Sequence, residues 1–165
     1  MQLTTDGEEV TIFNGIPDWV YEEDVLGSAS ASYLSDDGQY LVFGRFDDTN
    51  VPIVEYPLYL PNSDTYASQY RAAYPMAGLS EDRTLGSNTI ATLHLVDTLQ
   101  SGTGVPEAVD IDPPADIAAT EHYYTRVEFV APNTVAITWA NRAQTFAIIQ
   151  ICAFTTNGGN PPSVD

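Results

Sequence analysis

The 165-residue chain contains no lysine. Its five basic residues are the arginines Arg45, Arg71, Arg83, Arg126 and Arg142, set against 23 aspartates and glutamates for a formal net charge of −18. Binding to nucleic-acid phosphate or to an anionic membrane depends on Lys and Arg displacing counterions, so the composition argues against both, and no nucleic-acid partner is expected. The acidic excess favours cationic partners, metal ions or a high-salt solvent. Cysteine is nearly absent as well. Cys152 stands alone in the apolar run FAIIQICAF, which excludes an internal disulfide and reads as a buried, inert thiol. No Asn-x-Ser/Thr acceptor occurs. The opening MQLTTDGEEV has neither a basic nor an apolar region, so no signal peptide is expected. No apolar run approaches the ~18 residues that span a bilayer, and the chain as given is expected to be soluble.

What is present is mostly period-two hydrophobicity. EVTIF (9–13), YLVFGRF (40–46), VPIVEYPLY (51–59), TIATLHLVD (89–97), TRVEFV (125–130), TVAITWA (134–140) and TFAIIQICAF (145–154) read as strands. Val, Ile, Thr and aromatic residues, which suit a half-buried pleated surface, dominate them. Turn residues separate them: TDG at 5–7, DDG at 36–38, APN at 131–133 and NGG at 157–159. One short helix is expected around Tyr21 to Leu26, with Asp18 placed to cap it. The fold class is all-β. Two long connections interrupt it: an aromatic arm within 60–88, which holds Tyr66, Tyr70 and Tyr74, and a Pro- and Asp-rich linker at 98–121. Strand-turn-strand units recurring at about 40–50 residues suit β-propeller blades, and roughly eight strands make about two to three blades, too few to close a ring.

Hydrolytic machinery is not recognisable. No G-x-S-x-G elbow and no Ser-His-Asp signature appear. His94, alternating with Leu93 and Leu95, reads as a structural histidine, and His122 as a loop histidine without a role. No metal-spaced histidines, C-x-x-C pair or calcium loop is present; DDTN (47–50) and DIDPPAD (110–116) lack the ligand alternation. No cofactor or metal is expected. The remaining candidate is DWVYEED (18–24), in which Glu22, Glu23 and Asp24 follow two large aromatics. On a helical turn three successive acids fan over about 200°. Two of them can meet one cationic group, and a protonated amine offers three donors. The alternative is a solvated helix start favoured by the helix dipole.

NGIPDWVYEED (14–24), followed by DDGQYLVFGRFDDTNVPIVEYPLY (36–59), AAYPMAG (72–78) and ITWANRAQTFAIIQIC (137–152), closely resembles the propeller domain of the dipeptidyl peptidase IV family, fibroblast activation protein included. LTTDGEEVTIFNG (3–15) resembles the segment that precedes that family's D-W-(V/L)-Y-E-E-E signature. The resemblance implies that residues 1–165 are a segment of an eight-bladed propeller, part of a serine exopeptidase whose catalytic Ser, Asp and His lie outside this chain. It implies that Glu23 and Asp24 bind the free N-terminal amine of a peptide and help gate the active site. Glu22, Trp19 and Tyr21 would be supports, and the arm from Tyr56 to Gly78 a dimerisation extension. The implied partners are peptide N-termini, the hydrolase domain of the same protein and a second copy of it. The family is extracellular or membrane-anchored. Departures from the family pattern are Asp24 in place of Glu, which shortens the reach by about 1.5 Å, FDDT in place of F-N-D-T, Met76 in place of Lys, and the missing partner for Cys152. A non-catalytic relative that serves as a scaffold, or an acidic β domain that self-assembles, would carry the same residues.

Overall fold

The computed structural model describes residues 2–59, 67–76, 87–99, 106–157 and 160–164. The first sheet is built on β3 (Tyr40–Asp47). β1 (Ile12–Asn14) and β2 (Ser32–Leu34) share one of its edges, β6 (Ile90–Asp97) takes the other, and β7 (Val109–Ile111) follows β6. The second sheet runs β8 (His122–Ala131), β9 (Thr134–Asn141), β10 (Ala147–Asn157), β11 (Asn160–Val164). Between them in the chain, β4 (Ile53–Leu58) and β5 (Ser68–Ala73) form a separate two-stranded hairpin. All pairings are antiparallel.

Register follows the hydrophobic alternation. On β3 the alternating set Tyr40, Val42, Gly44 and Phe46 is buried, with Phe43 of the other face buried as well, and across the pair the four meet Asp97, Leu95, Leu93 and Ala91. On β9, Val135, Ile137 and Trp139 face inward, opposite Cys152, Gln150 and Ile148 of β10. A slip of one residue would turn each apolar set to the other face. The inner faces of the two sheets pack on each other around Tyr21, Phe46, Leu93, Tyr124, Ile137 and Trp139. Trp139 satisfies its indole N–H on Gln150 Oε1 at 2.8 Å, and the Gln150 amide donates to the carbonyl of Asp112 at 3.1 Å. This chain of bonds ties the second sheet to the segment that leaves the first. The outer face of β10 remains apolar and open, with Ile149 and Ile151 exposed.

Several elements differ from what periodicity predicts. The strand expected at 9–13 begins only at Ile12 and runs Ile12–Asn14, because Glu8 O takes the N–H groups of Thr11 (3.2 Å) and Ile12 (2.9 Å) in a turn that puts Val10 at φ 70°. The stretch 98–121 is not simply a linker. Its β7 completes the first sheet, and the short helix α1 (Ala115–Ala118) plugs Ile117 into the core. Three-residue strands and a one-turn helix are too short to show a period. β5 lies in the arm, and β11 carries Pro161 and Pro162, residues that a sheet tolerates at its edge. Tyr66, Gly78 and Arg83 lie outside the described residues.

Gly44 of the first sheet lies against Tyr124 of the second. A Cβ there would fall on the Tyr124 hydroxyl and crowd the Phe46 ring at 2.8 Å. Gly44→Ala is therefore expected to destabilise the protein by about 1–3 kcal/mol through overpacking. Adding Tyr124→Phe should recover part of that loss, with both effects read from thermal unfolding of the full-length protein.

Candidate functional site

The acidic stretch folds as a turn laid against the inter-sheet core. Trp19 and Val20 open it in helical form, and Tyr21–Leu26 continue as a π-helical turn, not as an α-helix. Gly27 closes it at φ 61°, its N–H bonded to Glu22 O, and Ser28 N–H reaches the same carbonyl at 3.2 Å. The i→i+5 pattern winds more loosely than an α-helix, so the acids fan less widely than α-helical spacing predicts. Asp18 sits at the start. Its backbone carbonyl accepts the Glu22 N–H at 2.9 Å and its carboxylate accepts the Val20 N–H at 3.2 Å, so it caps the opening turn.

Tyr21 anchors the turn. Its ring is fully buried, 4.8 Å from Phe46, 5.4 Å from Tyr124 and 6.0 Å from Tyr123 by ring centroids. With Tyr21 pointing inward, the residues that follow it face outward: Glu22 is half-buried, and Glu23 and Asp24 are exposed. Trp19 does not pack into the core. It is 41% exposed and stands edge-on to Tyr74 at 5.5 Å. The Tyr74 hydroxyl donates to Asp24 Oδ2. That bond is the main cause that pushes the Tyr74 phenol up to about 12; burial, the charge of Asp24 and then that of Glu23 add to it. Glu23 and Asp24 thus both act on one phenol. Asp24 borders a cavity of about 390 Å³ together with Tyr123, Thr145 and Phe146. Glu22 and Trp19 border a separate groove on the hairpin side. Among the described residues no arginine or histidine pairs with Glu22, Glu23 or Asp24.

Tyr74 was not identifiable as a site residue from its motif AAYPMAG. Nothing local signals its contact, since 50 residues separate it from Asp24. The chain just past β5 carries it there, with its N–H on Pro52 O at 3.0 Å. Arg142, at the end of β9, steadies the same region. Its guanidinium is buried, pairs with Glu121 at 2.5 Å and reaches the Met76 carbonyl at 3.4 Å. Behind the turn, Asp18, Thr89 and Asp48 form a buried polar cluster. The histidines are tied into the sheets. His94 bonds Asp110 (2.8 Å) and Thr92 (2.9 Å) and stacks on Phe43, while His122 bonds the Thr120 carbonyl (2.7 Å) and stands edge-on to Trp139. Cys152 is buried and free.

Two antiparallel sheets packed through their inner faces, with an acidic turn set at their junction, define part of a β-propeller. Residues 1–162 match the family described as Dipeptidyl peptidase IV (DPP IV) N-terminal region, and the chain belongs to that family. It is 35% identical over 159 residues to "Dipeptidyl peptidase 4" of Sus scrofa, covering 96% of this chain and 20% of that protein. It is 33% identical to "Prolyl endopeptidase FAP" of Homo sapiens, over 93% of this chain and 19% of that protein. "Inactive dipeptidyl peptidase 10" of Rattus norvegicus is also 33% identical, over 94% of this chain and 18% of that protein. The crystal structure of Porphyromonas gingivalis dipeptidyl peptidase 4 superposes with a TM-score of 0.72 at 25% identity, covering all of this chain and 21% of that one. The chain therefore spans about a fifth of the length of the relatives it matches.

Replacing Arg142 by Ala should cost about 1–2 kcal/mol. It removes charge-assisted bonds from a buried guanidinium, but the loss is held down because Glu121 is partly exposed and can rehydrate. The measurement is the shift in denaturation midpoint, and Glu121→Gln should shift it less.

Proposed function

We propose that this region serves a dipeptidyl-peptidase-type exopeptidase by binding the free N-terminal amine of peptides through Glu23 and Asp24, and that it gates the active site without being catalytic by itself. The observation that carries this reading is a pair of adjacent, exposed carboxylates on a turn anchored from behind by a buried tyrosine, with no cation of the described chain paired to them. A protonated amine supplies the missing charge and three donors. Tyr74 holds one oxygen of Asp24, which supports a defined position for a side chain one methylene shorter than Glu. Glu22, on the groove side, is left as an accompanying acid, and Trp19 supports the site through Tyr74.

Calorimetry on the full-length protein, with a catalytically inert variant where needed, tests this with the dipeptide Ile-Pro and its N-acetylated copy. The free amine should bind at least about tenfold more tightly, and Glu23→Gln should lose about 1.5–3 kcal/mol of that affinity, the worth of hydrogen bonds to a charged group. Equal affinity for the two ligands would overturn the reading.

A non-catalytic binding protein of the same family is the second reading, favoured by the 33% identity to a relative named as inactive. Release of dipeptides from a longer peptide by the full-length protein separates the two. For the hairpin we propose self-association. Val54, Tyr56, Leu58, Tyr59 and Tyr70 are all exposed there, and a two-stranded sheet is marginal when left without further cover. Tyr56→Glu should shift the sedimenting species toward monomer; an unchanged mass would count against the hairpin as the contact.

A further inference from the structure

We propose that Asp18, Thr89 and Asp48 share one proton in the interior, and that this proton holds the acidic turn against the first sheet. The Thr89 hydroxyl lies 2.9 Å from Asp18 Oδ2 and 2.7 Å from Asp48 Oδ1. A hydroxyl has a single proton, so it can donate to only one of the two carboxyl groups. The other contact is a hydrogen bond only if that carboxyl is itself protonated and donates to Thr89. With both groups ionised, one contact would set lone pair against lone pair. Burial makes this decisive: Asp18 is 1%, Asp48 2% and Thr89 3% exposed. Asp18 Oδ1 is buried with no hydrogen-bond partner, a costly state for an ionised carboxylate.

Among the described residues no basic group pairs with Asp18 or Asp48. Asp47, the last residue of β3 and next to Asp48, adds negative charge that Arg45 faces at 3.5 Å, and from the packed elements Tyr21, Tyr74 and Tyr124 present phenols to Asp18. Across the adjoining groove stand Glu8, Glu9, Glu22 and Arg71, and Arg71 is paired with Glu55 at 2.9 Å. Burial, with the charges of Asp18 and Asp47 behind it, pushes the Asp48 carboxyl up to about 7, while the Thr89 hydroxyl opposes the shift. Asp18 is raised too, again by burial.

The cluster joins three parts of the chain. Asp48 directly follows β3 and bonds Thr11 O through its N–H at 2.8 Å; Thr89 leads into β6; Asp18 caps the acidic turn. Loss of the proton therefore acts on the turn that bears Glu22, Glu23 and Asp24. The carboxyl titrates at 3.8 when unfolded and at about 7 when folded. The stabilisation is complete at acid pH and is lost as the pH rises through about 7.

Hydrogen exchange of the full-length protein, read by mass spectrometry on peptides covering 14–27 and corrected for intrinsic rates, tests this without any ligand. Its outcome is thus independent of the amine-binding reading. Between pH 5 and pH 7.5 the wild-type turn should lose more than about tenfold in protection. Asp48→Asn, which puts a neutral amide where the acid stands, should keep its protection at both pH values. Thr89→Val should lose protection at both. An equal fall in wild type and Asp48→Asn, no fall in wild type, or a Thr89→Val turn as protected as wild type at pH 5 would each overturn the proposal. Failure of Asp48→Asn to fold would also count against it, because the amide is the neutral isostere of the acid.

Discussion

The burial of Tyr21 is the contact on which the rest of the arrangement depends. It places an aromatic ring from a surface turn between two sheets that otherwise meet through Phe46, Tyr124 and Trp139. Apolar burial and tilted ring contacts make such an anchor strong and directional. With Tyr21 inward, the backbone has only one face left for the acids that follow, and that face is solvent. The charged stretch is therefore exposed by the geometry of its neighbour, at no desolvation cost to Glu23 or Asp24. Gly44 belongs to the same constraint, since only a residue without a side chain lets Tyr124 come close enough to complete the aromatic cluster.

Around that anchor, polar groups divide into two kinds. Those at the surface of the turn are paired with no arginine or histidine among the described residues. Those behind it are buried and meet at the Thr89 hydroxyl, with Asp18 Oδ1 left unpaired. Thr89 sits between two carboxyl groups in a place where charge is expensive, and through Asp18 it meets the start of the acidic turn. The exposed outer face of β10 and the bare hairpin carry apolar surface of another sort, consistent with a chain that spans about a fifth of its relatives' length.

Strands with clean alternation, such as Tyr40–Asp47 and Thr134–Asn141, were legible because one buried face imposes period two. The turn at Tyr21–Leu26 was legible in position but not in type, because an α- and a π-turn share the same apolar spacing over so few residues. β7, α1 and β11 were not legible. Each is short or carries proline, and what stabilises them is pairing or packing against distant residues, not local preference.

By itself, then, the order of residues determined the all-β class, the strongly acidic charge balance, and the candidate acids Glu22, Glu23 and Asp24, since alternation, charge and motif are local properties. The tertiary structure alone decided that Tyr74 reaches Asp24 across 50 positions. It alone decided that Trp19 stands at the surface while Tyr21 is buried, and that Asp18 shares Thr89 with Asp48. Such contacts depend on which strands pair and which faces meet, and no spacing along the chain encodes them.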